Sequence, residues 1–409
     1  MLEDFVFAHK WVDDLRDPLF TFSMHGGEQL YGFYFLSIPF WIQLLAIIFA
    51  EAMFATVVAM LFYQTVVRNQ GTQKAYLIGY SFFLPFWMFA PKFAVEQLAI
   101  ENKIFRFCIC VITPTMSIFR TTEAIHGFAP DYVVGSMADY VLYFSSPMYL
   151  TYDKKTSTYV KASIGRITGH LGRFIGFCFL TGAYQSLFSL FPAQFPALGT
   201  DEAVNVIGAN WFTWQTALDP ATWRDSALYA LLFQLYLTTF GEGLVFATTL
   251  VTRRQTMMLM DNPLFESKSP SDFWGRRWNL LIHTGLKNGV YKPVRQQGGS
   301  KPLAVLAAFV ASGLFHEWLL PSVFFDYPNT HGTTLVFFAW QAALVSMEAV
   351  IGHWTVFQHI SKNVPAVFRT ILVILSGIPL GHWFCESYVA SNFFRQGQVT
   401  WPLILPVER

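Results

Sequence analysis

The sequence predicts an all-α, multi-pass membrane protein, and three observations carry that reading. Of its 409 residues, 54% are hydrophobic and 13% charged, whereas an ordinary soluble domain is about 25% charged. Mean hydropathy is +0.39. The apolar residues gather in runs close to the roughly 20 residues that carry a helix across a bilayer. A net charge of +1 gives no reason to expect nucleic acid as a partner; the expected surroundings are membrane lipids.

Candidate spans lie at about 37–67, 76–91, 104–120, 132–151, 173–192, 226–251, 303–325, 333–351 and 366–390, and eight to ten spans are expected. The first run is long enough for one tilted helix or two pieces and contains Glu51. Lys92 and Glu96 interrupt the region 76–120. Loop charge orients the later spans. Residues 153–173 carry Lys154, Lys155, Lys161, Arg166 and Arg173 against Asp153, and residues 252–302 carry nine basic side chains against three acidic ones. Between them, residues 193–226 carry Asp201, Glu202, Asp219 and Asp225 against Arg224. Basic, acidic, basic, with one span between each, places both basic loops on the cytosolic side.

The chain reads as one membrane domain, 37–390, with an N-terminal interfacial segment, 1–36, and a C-terminal tail, 391–409. The N-terminus lacks the basic and apolar regions of a cleavable signal, so the first span is expected to act as the targeting signal. Cys108, Cys110, Cys178 and Cys385 have neither disulfide-framework nor zinc spacing and read as buried thiols.

One stretch does not fit its apolar surroundings: SPSDFWGRRWNLLIH, residues 269–283. Ser269 suits a helix N-cap, Pro270 the first helical position and Asp272 the third. Lys287-Asn288-Gly289 reads as a stop. A helix of about 19 residues follows, on which Gly275, Asn279 and His283 share a face. Trp274 and Trp278 form the neighbouring stripe, flanked by Arg276 and Arg277. Without chemistry, this is an interfacial helix with tryptophans at headgroup depth and arginines on phosphates.

The run 303–325 adds His316 and Glu317 near the middle of a span. Ionisable groups at that depth cost at least ~2.5 kcal/mol to insert, so they are functional candidates facing a cavity or a partner. The bland alternative is a histidine satisfied by a carbonyl inside the bundle. Ala308, Ala311, Ser312 and Gly313 would let another helix or a substrate tail approach closely.

SPSDFWGRRWNLL followed by AAFVASGLFHEW resembles the plant and algal wax synthase family of the membrane-bound O-acyltransferases, over about residues 261–320. The resemblance implies transfer of a fatty acyl group from acyl-CoA to a long-chain alcohol in the endoplasmic reticulum membrane. It implies His316 as catalytic base with Asn279 as its polar partner. No cofactor is implied beyond acyl-CoA as co-substrate, no metal, and no particular oligomeric state.

The chemistry agrees with these residue types. Forming an ester from a thioester and an alcohol requires a base for the hydroxyl proton, a donor for the developing oxyanion, and positioned substrates. Histidine suits the first task and the Asn279 amide the second, or the holding of the acyl-CoA. Glu317 follows His316 and so points about 100° away on a helix; a contact with another helix is expected. Trp274, Trp278, Arg276 and Arg277 are the candidate acyl-CoA contacts, with Glu317 and His283 in secondary roles. Arg253, Arg254, Lys287 and Lys292 would also attract phosphates, although positive-inside bias alone explains each one.

Other signatures are weaker. His9-x3-Asp13 and His126-x4-Asp131 match acyltransferase spacings at about the rate expected by chance. The ten histidines do not cluster as a di-iron site requires. A transporter could use intramembrane Glu51, Glu242, His316, Glu348, His382 and Glu386, with Gly241-Glu242-Gly243 marking a broken helix. Diacylglycerol or a sterol would suit the same acyl-transfer chemistry as acceptor.

Overall fold

The structure, a computed structural model, describes residues 17–23, 28–195, 198, 214–324, 332–355 and 363–407. His9, His25, His331, His359, Asp201 and Glu202 lie outside the described residues. Two strands, β1 (Phe20–Ser23) and β2 (Leu30–Tyr34), precede the first long helix, α1 (Ile38–Asn69). Ser37 caps α1 by accepting from the Phe40 N–H at 3.4 Å, and the helix runs unbroken past Glu51. Its outer face exposes Ile42, Leu45, Phe49, Met53 and Val57, as a surface bathed in lipid must.

A second helical run, α2 (residues 73–97), follows a Thr72 cap. Lys92 and Glu96 do not interrupt it; they pair across one turn at 3.9 Å. Next comes α3 (Lys103–Ile125), started by Asn102, whose side chain accepts from the N–H groups of Ile104 and Phe105. Of the most apolar window of α3, 78% is buried, against 22% for α1, so α3 stands at the centre of the bundle.

The expected span at 132–151 is not there. Its core is α4 (Met137–Ser145), nine residues long, or about 14 Å, too short to cross. Its aromatic content reflects burial inside the protein: Tyr140 and Phe144 pack against Phe62 and Tyr63 of α1, and Tyr143 is buried against Tyr149 and the Arg120 guanidinium.

A small hairpin, β3 (Tyr152–Asp153) and β4 (Thr158–Tyr159), leads into α5 (Ile164–Leu190). The helix starts earlier than the apolar run because Ser163 caps it at Arg166 N, 3.2 Å away. The long helix α6 (Pro220–Thr252) returns beside it. Gly241-Glu242-Gly243 lies inside unbroken α6, and Glu242 accepts from His170 at 3.1 Å and Arg173 at 2.6 Å on α5. That acid is an interhelical pin; it does not mark a broken helix.

The two basic loops meet. Thr151 N–H donates to Gln255 O, Gln255 N–H to Val160 O, Ala162 N–H to Arg253 O and Met257 N–H to Tyr149 O, all at 2.8–3.0 Å. Segments hydrogen-bonded to one another cannot lie on opposite sides of a membrane, so the two loops share one side, as the charge pattern requires. After the segment 258–300 come α7 (Lys301–Val323), α8 (Thr333–Ile351) and α9 (Ala366–Ala390). By length and composition, α1, α3, α6, α7, α8 and α9 could each cross a membrane. The helices α2 and α5 are as long but not as apolar over a full span, giving eight long helices among the described residues.

The C-terminal segment is not a loose tail. Its strand β5 (Leu403–Pro406) pairs with β2 in a three-stranded sheet ordered β1-β2-β5. Trp401 is fully buried, and the Pro402 carbonyl occupies the place a Cβ would take at Gly182 of α5. All four cysteines are free and buried, as expected.

Candidate active site

Residues 258–300 enter the bundle. Leu264 N–H donates to Gln234 Oε1 on α6 at 3.0 Å, and Ser271 N–H and Oγ donate to Glu348 on α8 at 2.7 and 2.8 Å. Ser269 caps as predicted, accepting from Asp272 N–H at 3.2 Å. The single 19-residue helix does not form. The first piece closes with a wide turn in which Trp278 N–H donates to Phe273 O at 2.8 Å, and Trp278 itself is extended. Asn279 then turns left-handed, at φ 42° and ψ 67°, and its Oδ1 caps a second helical run by accepting from Ile282 N–H at 3.3 Å. Asparagine tolerates this backbone and is a favoured N-cap; one residue does both.

That second run continues past Gly289 to Gln296. Gly289 is no stop: Thr122 of α3 stands where its Cβ would be. Next to it, Asn288 Nδ2 donates to Glu123 Oε1 at 3.0 Å, and Tyr143 and Tyr149 donate to the same buried carboxylate at 2.5 and 3.2 Å. This segment is thus seated on α3 by close backbone approach and a shared carboxylate.

Arg277 is committed elsewhere than a phosphate. Its guanidinium donates to Asp272 at 3.0 Å, Glu266 at 2.9 Å and Asp261 at 3.5 Å, and also to the Asp261 carbonyl at 3.0 Å. Arg276 is exposed. The tryptophans pack against other side chains of the bundle. Trp274 Nε1 donates to Gln341 Oε1 at 3.2 Å, and its ring abuts Phe309, Phe337 and Phe338. Trp278 stacks on Phe273 at 5.4 Å.

A cavity of about 1010 Å³ opens at the centre of the molecule, and Trp274, Trp278, Asn279, His283 and His316 all line it. Its walls are mostly Leu, Val, Ile and Phe. Lys301 at the start of α7 lines it too. His316 is 15 residues further along, about 22 Å down the helix, so the cavity links a basic entrance to a deep apolar chamber.

His316 Nδ1 lies 2.7 Å from the Ser312 carbonyl. A carbonyl only accepts, so Nδ1 carries the proton, and in the neutral ring Nε2 is left as an acceptor. The carbonyl-satisfied reading thus accounts for Nδ1 and leaves Nε2 open to another partner. Its ring is held by Phe315, Phe338 and Phe384, with Phe338 4.7 Å away. Glu317 does reach another helix: its carboxylate accepts from Gly332 N–H at 2.8 Å and Leu335 N–H at 3.0 Å, capping α8. Burial, with Lys287 as a lesser cause, holds the His283 imidazole below the ordinary histidine value.

Gln341 and Glu348, which anchor the 269–278 turn to α8, were not among the predicted site residues. Gln341 had a signal, being a polar side chain in the apolar run VFFAWQAALV. Glu348 was legible as an intramembrane acid, but its partner was not. Among the described residues no cluster of three or more His, Cys, Asp or Glu could hold a metal.

The profile of the Membrane bound O-acyl transferase family matches residues 258–340, the stretch that brings Trp274, Trp278, Asn279, His283 and His316 to this chamber. The chain is 28% identical over 145 residues to the probable long-chain-alcohol O-fatty-acyltransferase 9 of Arabidopsis thaliana, covering 33% of this chain and 41% of that protein. It is 37% identical over 113 residues to the long-chain-alcohol O-fatty-acyltransferase of Simmondsia chinensis, covering 25% and 29% respectively. An acyl-CoA–sterol O-acyltransferase of Arabidopsis thaliana is 35% identical over 88 residues, covering 19% and 26%. The matched stretches span less than half the length of these relatives.

Proposed function

We propose that this protein is an acyl-CoA-dependent O-acyltransferase of the endoplasmic reticulum membrane that esterifies a long-chain alcohol. The observation that carries the reading is the acceptor nitrogen of His316 in a large apolar chamber that Asn279 also lines. In the proposed reaction, Nε2 takes the alcohol proton as the oxygen attacks the thioester carbonyl. Asn279 Oδ1 is used as a helix cap, which leaves the Nδ2 hydrogens to donate to the developing oxyanion. Collapse breaks the carbon–sulfur bond, and the proton leaves with the CoA thiol. The products are one ester and free CoA. Apolar walls hold both alkyl chains and keep out the water that would hydrolyse the thioester.

Arg277 has no part in binding CoA in this scheme. Arg276, Lys287 and Lys301 remain as phosphate contacts, Trp274 and Trp278 as wall contacts. The similarity to a sterol acyltransferase makes a sterol the competing acceptor. The test offers labelled palmitoyl-CoA with hexadecanol, cholesterol or diacylglycerol to membranes from cells lacking neutral-lipid synthesis. Wax ester from wild type and not from His316→Ala is the expected result. Steryl ester or triacylglycerol instead would move the acceptor and keep the base. No ester with any of the three, from folded protein, would remove the reading.

A further inference from the structure

A second pocket lies on the basic side, away from His316. The paired loops build it from Tyr132, Tyr152, Tyr159, Lys161, Arg253 and Arg254, with Asp139 as the carboxylate among its described lining residues. Its volume is about 620 Å³. The Tyr132 and Tyr152 rings stack at 3.9 Å, Tyr159 stands edge-on to both, and the Arg254 guanidinium lies 4.3 Å over the Tyr159 ring.

Two donors here have no acceptor among the described residues: Arg254 Nη1 and the Tyr159 hydroxyl, both buried. Burial, then Tyr132 and Asp139, push the Tyr159 hydroxyl up from the ordinary tyrosine value, so it stays protonated. Buried donors are nearly always satisfied, and an orphaned one calls for a water or an ion. Cations after a helix are also favoured by the partial negative charge at its C-terminus, and Arg253 and Arg254 follow α6. That effect explains a solvated cation. It does not explain a guanidinium stacked on a tyrosine with one nitrogen buried and unpartnered. Three cations against one carboxylate fix the sign of the missing ligand.

We propose that this pocket binds a phosphate group, gripped by Arg254 Nη1 and the Tyr159 hydroxyl and neutralised by Lys161 and Arg253. Two sources share that chemistry. Val251 lines the large cavity and the next residue, Thr252, lines this pocket, so the two adjoin, and one source is the phosphate end of a CoA thioester whose acyl chain lies in the chamber. The other source is the headgroup of an acidic phospholipid in the adjoining leaflet. The CoA source rests on the acyltransferase reading; the phosphate site itself does not.

The experiment uses the full-length protein in nanodiscs and measures binding, not turnover. One arm titrates CoA and adenosine 3′,5′-bisphosphate into phosphatidylcholine discs. The other compares thermal stability in phosphatidylcholine discs with and without phosphatidic acid. Loss of one charge-assisted grip weakens binding about tenfold. Arg254→Gln and Tyr159→Phe are each expected to raise the Kd for both nucleotide probes by about that factor if CoA is the source. If lipid is the source, they leave nucleotide binding alone and abolish stabilisation by phosphatidic acid. The milder Tyr159→Phe keeps the ring under Arg254, so it carries the test should Arg254→Gln fail to fold. Folded variants that match wild type in both arms would overturn the proposal. Phosphate binding in one arm with no ester formed from any acceptor would uphold the site and remove only the acyltransferase reading.

Discussion

His316 Nδ1 is 2.7 Å from the Ser312 carbonyl oxygen, one turn earlier on the same helix. The helix thereby sets the tautomer of its own histidine. This arrangement requires only a histidine four residues after a carbonyl on the same helix, so no carboxylate is needed to orient the ring. His316→Ala is expected to leave the bundle folded and to lower ester formation by a factor of about 10²–10⁴, the range for a lost general base. His316→Gln should fail equally, since its amide can fill the space and bond Ser312 but cannot take a proton at neutral pH. Ester formation rates at matched protein levels decide it; activity in His316→Gln near wild type would exclude base catalysis by this residue.

One substitution separates the cap observed at Asn279 from the donor role proposed for it. Aspartate is as good an N-cap as asparagine and also tolerates a left-handed backbone, so Asn279→Asp keeps the turn. It lacks the amide hydrogens and places a negative charge where the oxyanion would form. The expected outcome is an unchanged melting temperature with turnover down by at least about 10²-fold, as for a lost oxyanion donor. Asn279→Ala should lose both, with stability falling by about 1 kcal/mol for the cap. Melting curves and initial rates on the two variants distinguish the roles; full activity in Asn279→Asp would leave Asn279 as a cap alone.

The class of the fold was legible because lipid as solvent leaves a coarse imprint: long apolar runs and a side-to-side charge bias. That bias put loops 153–173 and 252–302 on one side, where residues 149–162 and 253–257 prove to be hydrogen-bonded; the pairing itself left no mark in the sequence. The missing span at 132–151 shows where such reasoning stops, since a run apolar through Tyr and Phe is equally suited to a short helix buried among other helices. His316 was legible from its depth, and Glu317 from the 100° that separates neighbours on a helix. The break at Trp278–Asn279 was not, because helix periodicity gives the same face to Gly275, Asn279 and His283 whether or not the chain kinks between them. Gly275 and His283 do stay close, with His283 Cε1 3.8 Å from where a Gly275 Cβ would be.

Arg277 illustrates a cation whose charge is spent within the fold. Asp272 is largely buried beside it, whereas Asp261 and Glu266 are 45% and 53% exposed in their side chains, so solvent screens part of the attraction. Removing the guanidinium would leave three carboxylates facing one another. Arg277→Ala is expected to cost about 2 kcal/mol of stability, between surface and buried pairs, and Arg277→Lys most of that, since one ammonium cannot reproduce the fork. The KM for acyl-CoA in surviving folded protein should stay within about twofold, under 0.5 kcal/mol. A stable Arg277→Ala with a strongly raised KM would return this residue to the substrate site.

His283 provides a pH dependence with a definite sign. Its folded pKa lies below the ordinary value near 6.5 because burial disfavours the charged ring, and Lys287 adds to this. The unfolded chain therefore binds the proton more tightly than the folded one. Folding stability from this group is fully present above the unfolded value near 6.5, and falls as pH drops through that value toward the lower folded one. Lowering the pH from about 7.5 to 5.5 should thus reduce the melting temperature of wild type. His283→Gln should remove part of that decline while changing turnover at neutral pH less than His316→Ala does. The difference between the two proteins' melting temperatures across this range isolates the contribution from other histidines such as His126, which burial also shifts downward. Parallel curves for wild type and His283→Gln would show that this imidazole does not titrate with folding, and a loss of turnover as deep as that of His316→Ala would make it part of the chemistry.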